Sequence, residues 1–301
     1  MDVKETLSAL MASHDTAPDD AGRQLWQLVE QEMPSELVPQ LSWLGNHVIG
    51  ELLREWPQAS RFQQKLTSQR ADVSVAVWRN AAVAALMAGD PVRAYALELR
   101  MQRDGLCAVQ AAMVVRLAVI GHALRGGEPE QGAAALTTIF GWLDTQHERG
   151  AADAMLAAGL NNAVSALLDV DDTSIERSDT IRHAIAQGAR LCRDLWQRAG
   201  TWINEARADY LCALAHARLG QPREALAAAE RGLKVIEAHG DEEIDRAFLL
   251  LEAGRARISL GDATEGQRQI DEAARLAAGW NDPSLTNEFD EKAASIRRAA
   301  S

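Results

Sequence analysis

Leucine and alanine recur at intervals of three and four residues along most of the chain, a spacing that places apolar side chains on one face of an α-helix. The pattern is most regular from residue 200 to residue 279, where helix-length runs are separated by Gly200, Gly220, Gly240, Gly261 and Gly279. No proline interrupts these runs, so each interval predicts one helix. The segment therefore predicts two helical hairpins in tandem, and a repeat of roughly forty residues built from helix pairs is typical of a stacked helical solenoid.

Three further hairpins are predicted to precede this segment, over residues 71–105, 106–150 and 151–200. The first two turn at Gly89 and Gly127, whereas the third turns at an acidic segment, Asp171-Asp172-Thr173. Together with the two regular hairpins they predict a helical repeat array over residues 71–282.

Helical caps are predicted at both ends of this array. Residues 1–70 form the N-terminal cap region, in which a long apolar pattern predicts a helix from Ser35 that is stopped by Trp56-Pro57. The polar segment that follows predicts only a weak helix or a boundary. Residues 283–301 predict a polar helix that covers the exposed apolar face of the last repeat, as terminal repeats must. The predicted fold class is all-α.

Composition supports this class and limits the kinds of partner. The 301 residues are 47% hydrophobic and 25% charged, as in a soluble globular protein, with only 8 prolines, 2 tyrosines and 4 phenylalanines. The net charge is −12 and no lysine- or arginine-rich run occurs, which counts against nucleic acid as a direct partner because phosphate binding needs clustered cations. No run of eighteen or more apolar residues exists, so no membrane partner is expected.

The N-terminus and the cysteines predict a cytoplasmic location. The N-terminal segment carries acidic residues where a secretion signal needs a basic leader. Cys107, Cys192 and Cys212 are an odd, scattered set, which predicts reduced thiols in the core. Frequent alanine and arginine indicate a bacterium with a GC-rich genome.

The hairpin turns share a short motif. A glycine is followed five residues later by a residue no larger than alanine, at Gly89–Ala94, Gly127–Gly132, Gly220–Ala225 and Gly261–Gly266. The glycine permits the reversal of the backbone, and the small residue lets the second helix of the hairpin approach the first. This pattern resembles the tetratricopeptide repeat family, over roughly residues 71–282.

Further positions fit that resemblance. Trp78 stands where the family often has a tryptophan in helix A, and small residues stand at the family's small positions, namely Ala82, Ala213, Gly254 and Ala273. The hairpin around Gly127 matches only at its turn, and the hairpin around Asp171 lacks the glycine. The resemblance implies a right-handed superhelix whose helix A residues line a concave groove that binds a peptide or a helix of a partner.

One face of the helix after Ala206 combines arginine with an aromatic residue. At 100° per residue, Arg207, Tyr210, Leu214 and Arg218 form one stripe, and the resemblance places that stripe in the groove. Related positions in the neighbouring hairpin and in the first hairpin complete the predicted groove set, which is Arg79, Val83, Arg207, Tyr210, Leu214, Arg218, Arg255 and Ile258. Arginine beside an aromatic ring suits a carboxylate or an acidic peptide, and a solvated helix face is the alternative.

An acidic motif suggests a different chemistry. Asp169-Val-Asp171-Asp172-Thr173 resembles the nucleophile motif of haloacid-dehalogenase-type phosphatases, and Lys234 with Gly240–Asp245 resembles that family's distal lysine and acidic motif. That fold needs each motif at the end of a buried parallel strand, whereas the sequence between them predicts alanine-rich helix. Acids beside a helix start also serve as caps and dipole partners. The phosphatase is therefore the less favoured interpretation.

Two small clusters could bind metal. Asp144, His147 and Glu148 share a predicted helix face, but a solvated helix end is favoured because no fourth partner is identifiable. Cys212 and His216 share a face that packs into the core of the resembled family, which favours a buried thiol and a hydrogen-bonded imidazole. The other histidines have no serine or cysteine at a motif spacing, and they are His14, His47, His122, His183 and His239. No catalytic residue, metal or cofactor is predicted.

These patterns predict a protein-interaction module, a scaffold, adaptor or chaperone that binds a protein or peptide partner in the groove, and they leave a homo-oligomer open. A regulatory protein that senses a ligand or peptide in the same groove is the first alternative. An enzyme is not expected. A phosphatase would need parallel strands, and an α/α toroid hydrolase would need a closed ring with paired carboxylates in its mouth.

Overall fold

The computed structural model describes residues 3–68, 70, 73–145 and 150–299. Within these ranges every regular element is helical and no strand is present, so the predicted all-α class is confirmed. The right-handed sense of the superhelix stays a prediction. The chain forms two compact units, Met1–His122 and Ala123–Ser301. The predicted divisions after residues 70 and 282 also stay predictions.

The first unit is built from helices with short connections. They are α1 (Val3–Ser13), α2 (Pro18–Val29), α3 (Val38–Gly45), α4 (Trp56–Ser68), α5 (Val75–Met87), α6 (Pro91–Arg103) and most of α7 (Ala108–Arg125). A 3₁₀ turn, Ser35–Leu37, precedes α3, and a π-helical segment, Asn46–Leu52, continues α3 without a break. Fully buried side chains such as Leu25, Leu41 and Phe62 form the core of this unit.

The predicted stop at Trp56-Pro57 is wrong. The helical run from Ser35 ends at Leu52, Arg54 adopts a left-handed φ of 58°, and Trp56 begins α4. A proline in the first turn of a helix is tolerated because the N–H that it lacks would have no partner there. Pro57 therefore marks the start of a helix and not its end.

Helix α4 is regular, although its polar sequence predicted a weak helix. The reason is a buried network around Gln63, whose Nε2 donates to Ser42 O at 2.6 Å and to Asn46 Oδ1 at 2.8 Å. Asn46 Nδ2 donates in turn to Asn80 O at 2.8 Å, and Asn80 Nδ2 donates to Ser42 Oγ at 3.1 Å. Polar side chains whose hydrogen bonds are satisfied in this way can be buried without a large penalty and fix one packing arrangement. The network ties α3, α4, α5 and the π-helical segment together.

The second unit contains the regular hairpins. Its helices are α8 (Pro129–Leu143), α9 (Asp153–Leu168), α10 (Asp172–Arg177), α11 (Asp179–Ala199), α12 (Trp202–Arg218), α13 (Pro222–His239), α14 (Glu243–Ser259), α15 (Ala263–Ala277) and α16 (Pro283–Ala299). The four helices predicted between Gly200 and Gly279 are all confirmed. The predicted C-terminal capping helix is also confirmed over residues 283–299, and its Phe289, Ala293 and Ile296 are buried in a core cluster with α14 and α15.

The turn motif has the geometry expected from its residues. Gly220 and Gly261 adopt φ values of 70° and 92°, which side chains other than glycine rarely adopt. Five residues after Gly261, Gly266 lies against Gly254 where α15 crosses α14. A Cβ atom placed on either glycine would lie 2.7 Å from the carbonyl oxygen of the other. The small residue of the motif therefore sets the distance between the two helices.

The third hairpin contains an extra short helix in place of a glycine turn. Asp171 is the N-cap of α10, and its carboxylate accepts hydrogen bonds from Ser174 N at 2.9 Å and from Ser174 Oγ at 2.6 Å. Ser178 then caps α11 by accepting a hydrogen bond from Ile181 N at 3.1 Å. Two successive caps reverse the chain here without a residue of positive φ.

Two of the three cysteines are buried as predicted, but the expectation of a core position for Cys107 is wrong. Cys107 is exposed and stands directly before α7. Its Sγ accepts a hydrogen bond from Gln110 N at 3.5 Å, and Gln110 Oε1 accepts one from Cys107 N at 3.0 Å. Cys107 therefore acts as the cap of a helix, in a reciprocal arrangement similar to a capping box.

Helix α7 is the one helix in the described part of the chain that is long and apolar enough to cross a membrane by length and composition. Core helices of water-soluble proteins pass the same test. Two of its polar side chains pair within the first unit, where Arg116 forms an ion pair with the buried Glu98 and His122 contacts Glu51.

The close approach of α14 and α15 at Gly254 and Gly266 can be tested by adding one methyl group to Gly266. We expect Gly266→Ala to lower the free energy of unfolding by about 1–3 kcal/mol, because the new Cβ would press on the backbone of α14. Gly141→Ala is the matched control, since Gly141 is also helical but a Cβ there would meet nothing within 4 Å. That variant should gain about 0.5–1 kcal/mol from helix propensity. Urea denaturation followed by circular dichroism measures both, and equal stability of the two variants would contradict the assigned crossing.

Candidate functional site

The predicted groove set is divided between the two units. Arg79 and Val83 belong to the first unit, where Val83 is buried and the Arg79 guanidinium donates to Asn80 Oδ1 at 3.1 Å. Burial lowers the pKa of Arg79, and its Nε finds no partner among the described residues. The other six residues belong to the second unit, on α12 and α14.

The three groove arginines of the second unit, Arg207, Arg218 and Arg255, contact groups of their own chain. Arg207 Nε lies 2.8 Å from Asp245 Oδ2 of α14, and the Arg207 side chain remains 57% exposed. Arg218 pairs with Asp172 of α10 and donates to Val170 O at 2.6 Å. Arg255 pairs with Glu252, one turn before it on α14. The stripe is therefore electrostatically balanced by carboxylates of the same unit.

Tyr210 is covered by the C-terminal helix. Lys292 Nζ of α16 donates to Tyr210 Oη at 2.9 Å and lies 5.1 Å from the ring centre of Phe248 on α14. The rings of Tyr210 and Phe248 are 5.8 Å apart, and Phe289 of α16 packs edge-on against Phe248. Burial raises the pKa of Tyr210 to about 12. Helix α16 thus packs on α14 and α15, and its Lys292 reaches Tyr210 of α12.

The apolar members of the set support this surface. Leu214 is half-buried on α12, and Ile258 packs against the core cluster that includes Phe289. On the same helix as Ile258, Glu252 is almost fully buried, and burial raises its pKa while Arg255 opposes that shift. A buried carboxylate of this kind needs its cation, because an unpaired charge in the interior is costly.

The acidic segment that resembles a phosphatase motif has helix-capping roles. Asp169 ends α9, Asp171 caps α10, and Asp172 pairs with Arg218. No strand occurs in the described part of the chain, so the parallel strands that such a phosphatase site needs are not formed there.

The described members of the two residue clusters that the sequence offered as metal ligands lie in different surroundings. Asp144 forms an ion pair with Arg190 at 2.5 Å, while His147 and Glu148 lie outside the described residues. Cys212 is buried as predicted, and burial raises the pKa of its thiol to about 12. His216 is turned towards Gln221, with Nδ1 at 2.8 Å from Oε1.

The first unit contains a group of titratable residues that the sequence patterns did not reveal. We name it the histidine cluster; it consists of His14, Asp15, His47, Glu51 and His122. His14 and Asp15 follow the end of α1, His47 and Glu51 lie in the π-helical segment, and His122 lies on α7. Single-turn departures from α-helical geometry of this kind are frequent at functional sites.

Asp15 lies between two imidazoles. Its Oδ1 is 3.5 Å from His14 Nε2 and 3.5 Å from His47 Nε2. The two rings are 5.0 Å apart at an interplanar angle of 75°, and Trp43 stacks on His47 at 5.1 Å. The His14 and His47 side chains are 9% and 23% exposed, whereas that of Asp15 is 71% exposed. The site is therefore enclosed on the histidine side and open to solvent on the aspartate side.

The Nδ1 atoms of His14 and His47 form hydrogen bonds with groups other than Asp15. His14 Nδ1 lies 3.1 Å from Leu10 O and 3.0 Å from Met11 O, which are acceptors only, so Nδ1 carries the hydrogen. His47 Nδ1 lies 2.6 Å from Glu51 Oε2. Its hydrogen bond with Glu51 raises the pKa of His47, burial opposes that shift, and Asp15 adds to it.

Glu51 connects this pair to a third histidine. Its second oxygen, Oε1, contacts His122 Nδ1, and the His122 ring packs edge-on against Trp56 at 4.8 Å. Sequence spacing could not reveal the cluster, because its members come from three helical segments far apart in the chain. The only local signal is the pair His47 and Glu51, one helical turn apart.

The sequence matches no protein-family model, and no curated protein matches it significantly. The resemblance to tetratricopeptide repeats therefore rests on the turn motifs and on the helix pairs alone.

The burial of Tyr210 predicts a pH effect. Its folded pKa of about 12 is above the value of 10.0 for a free phenol, so the neutral form stabilises the fold fully below pH 10. That contribution is lost as the pH rises from 10 to about 12. We expect the free energy of unfolding of Tyr210→Phe to fall less over this interval than that of wild type, while Tyr95→Phe, which alters the exposed second tyrosine, follows wild type. Urea denaturation at each pH measures the difference, and parallel curves for all three proteins would contradict the burial of the phenol.

Proposed function

We propose that the second unit is a protein-interaction module that binds an amphipathic helix of a partner on the side of α12 and α14 that carries Tyr210. One observation carries the proposal: the chain's own α16, an amphipathic helix, packs on α14 at the edge of this surface, with Lys292 over Tyr210 and Phe248 and with Phe289 buried. A helix that presents an apolar stripe and a few polar anchors is a common ligand of such surfaces. The role is that of a scaffold, adaptor or chaperone.

The arginines suggest the charge of the partner. Arg207 is more than half exposed, whereas the side chain of its partner Asp245 is only 16% exposed. A carboxylate of a partner can bind the outer N–H groups of the Arg207 guanidinium while Nε stays paired with Asp245. Arg218 pairs with Asp172, whose side chain is 75% exposed, and an exposed acid of this kind can be replaced at a cost of about 0–1 kcal/mol. The proposed ligand is a helix with carboxylates beside its apolar stripe.

A second candidate uses the same helices. A cleft of about 280 Å³ is lined by Ala217, Gly220, Pro222, Ala225, Arg255, Ala256 and Ser259. Arg255 Nε is buried and has no partner within the described part of the chain, so an acceptor atom of a small ligand or peptide end would satisfy it. This observation favours a ligand-sensing regulatory protein, in which the ligand changes the binding of the partner.

The groove assignment can be tested by affinity capture followed by quantitative mass spectrometry. We expect Arg207→Ala/Arg218→Ala to lose at least about tenfold in capture of a partner that wild type retains, because two polar anchors of about 1 kcal/mol or more are removed. Arg268→Ala is the control, since Arg268 is an exposed arginine of α15 that pairs with Glu265 and Glu272 of the same helix. Unchanged partners in the double variant, with the fold intact by circular dichroism, would contradict the assignment.

The position of α16 leads to a separate expectation. If α16 occupies the surface that a partner uses, Lys292→Ala weakens its docking and should increase capture of that partner. Lys65→Ala, which removes a lysine of α4 in the first unit, should leave capture unchanged. A decrease or no change in capture with Lys292→Ala would show that α16 is only a cap.

A further inference from the structure

The three polar atoms at the centre of the histidine cluster are all acceptors when the imidazoles are neutral. His14 and His47 each carry their hydrogen on Nδ1, where Leu10 O, Met11 O and Glu51 Oε2 accept it. The two Nε2 lone pairs then face Asp15 Oδ1. Three acceptors directed at one another repel unless a proton on one Nε2 or a metal ion lies between them.

The separations suit a metal ion. The ligand atoms of His14, Asp15 and His47 all lie within 4.8 Å of one another, and both nitrogen–oxygen distances are 3.5 Å. A tetrahedral ion with bonds of about 2.0–2.2 Å needs ligand atoms roughly 3.3–3.6 Å apart. Two of the three separations already meet this requirement, and the ligand atoms of the third pair, His14 and His47, lie within 4.8 Å of each other.

The surroundings also match those of a metal ligand set. A histidine that binds metal through Nε2 almost always donates its Nδ1 hydrogen to a carboxylate or a backbone carbonyl, which fixes the orientation of the ring. His47 has the carboxylate of Glu51, and His14 has the carbonyls of α1. Glu51 is fixed in turn by His122, and Trp43 covers one face of the His47 ring.

We propose that His14, Asp15 and His47 bind a divalent transition-metal ion through His14 Nε2, Asp15 Oδ1 and His47 Nε2. Two imidazoles and one carboxylate suit Zn²⁺, Co²⁺ or Fe²⁺ and do not suit Mg²⁺ or Ca²⁺, which prefer sets of oxygen ligands. Three protein ligands leave at least one coordination position, and the exposed side of Asp15 gives solvent access to it. The site lies within the first unit and does not depend on the proposed function of the second.

The test is a titration of the untagged, chelator-treated full chain with Zn²⁺ by isothermal titration calorimetry, and with Co²⁺ by visible absorption. We expect saturable binding of one ion per chain, no competition by excess Mg²⁺, and a Co²⁺ spectrum of low coordination number. Asp15→Asn and His47→Ala should abolish this binding, and Glu51→Gln should weaken it about 10- to 100-fold. His216→Ala, which removes a histidine of the second unit, should bind as wild type does.

Asp15→Asn keeps the test decisive if His47→Ala does not fold, because Asp15 is exposed and lies outside the helices. The absence of one-to-one binding to wild type would overturn the proposal. Binding of Zn²⁺ by Asp15→Asn with the affinity of wild type would overturn it as well, since the ion would then be held elsewhere.

Discussion

The second unit depends on how closely two helices can approach. Each of its helices has an apolar face that must be buried against a neighbour, because the propensity of single helices for the helical state is too weak to maintain them in water. Where α14 crosses α15, glycine faces glycine, and the backbones approach to a distance that a single methyl group would prevent. A small residue recurs five positions after each of the four glycine turns, so one local rule repeats along the chain except at Asp171.

Those features were predictable because they are local. A small residue five positions after a turn glycine lies in the first turn of the second helix, where that helix approaches the first, and the spacing of leucine and alanine defines the buried face. The start of α4 was missed because Trp56-Pro57 fits a helix start as well as a helix end. The regularity of α4 was missed because Gln63 counts as polar in any pattern. In the fold, both polar atoms of its side-chain amide form hydrogen bonds with Ser42 or Asn46.

The candidate sites show even more clearly that only local features could be predicted from the sequence. The stripe on α12 could be drawn from helical periodicity, but its pairing could not, because Asp245, Asp172 and Lys292 come from three other helices. The histidine cluster was not predictable at all, since no spacing in the sequence relates His14 to His47 or to His122. It exists because the end of α1, the π-helical segment and α7 pack together, and a widened turn carries two of its members.

Cys107, which caps α7, is a site for selective chemical labelling. The other two cysteines, Cys192 and Cys212, are buried. Burial raises the pKa of their thiols, so only a small fraction of each is present as the reactive thiolate. Cys107 stands exposed at the start of α7, the helix that ends beyond His122. A maleimide dye will therefore attach at one position without any cysteine being removed by mutation. Such a dye places a single optical reporter in the first unit, on the helix that completes the histidine cluster.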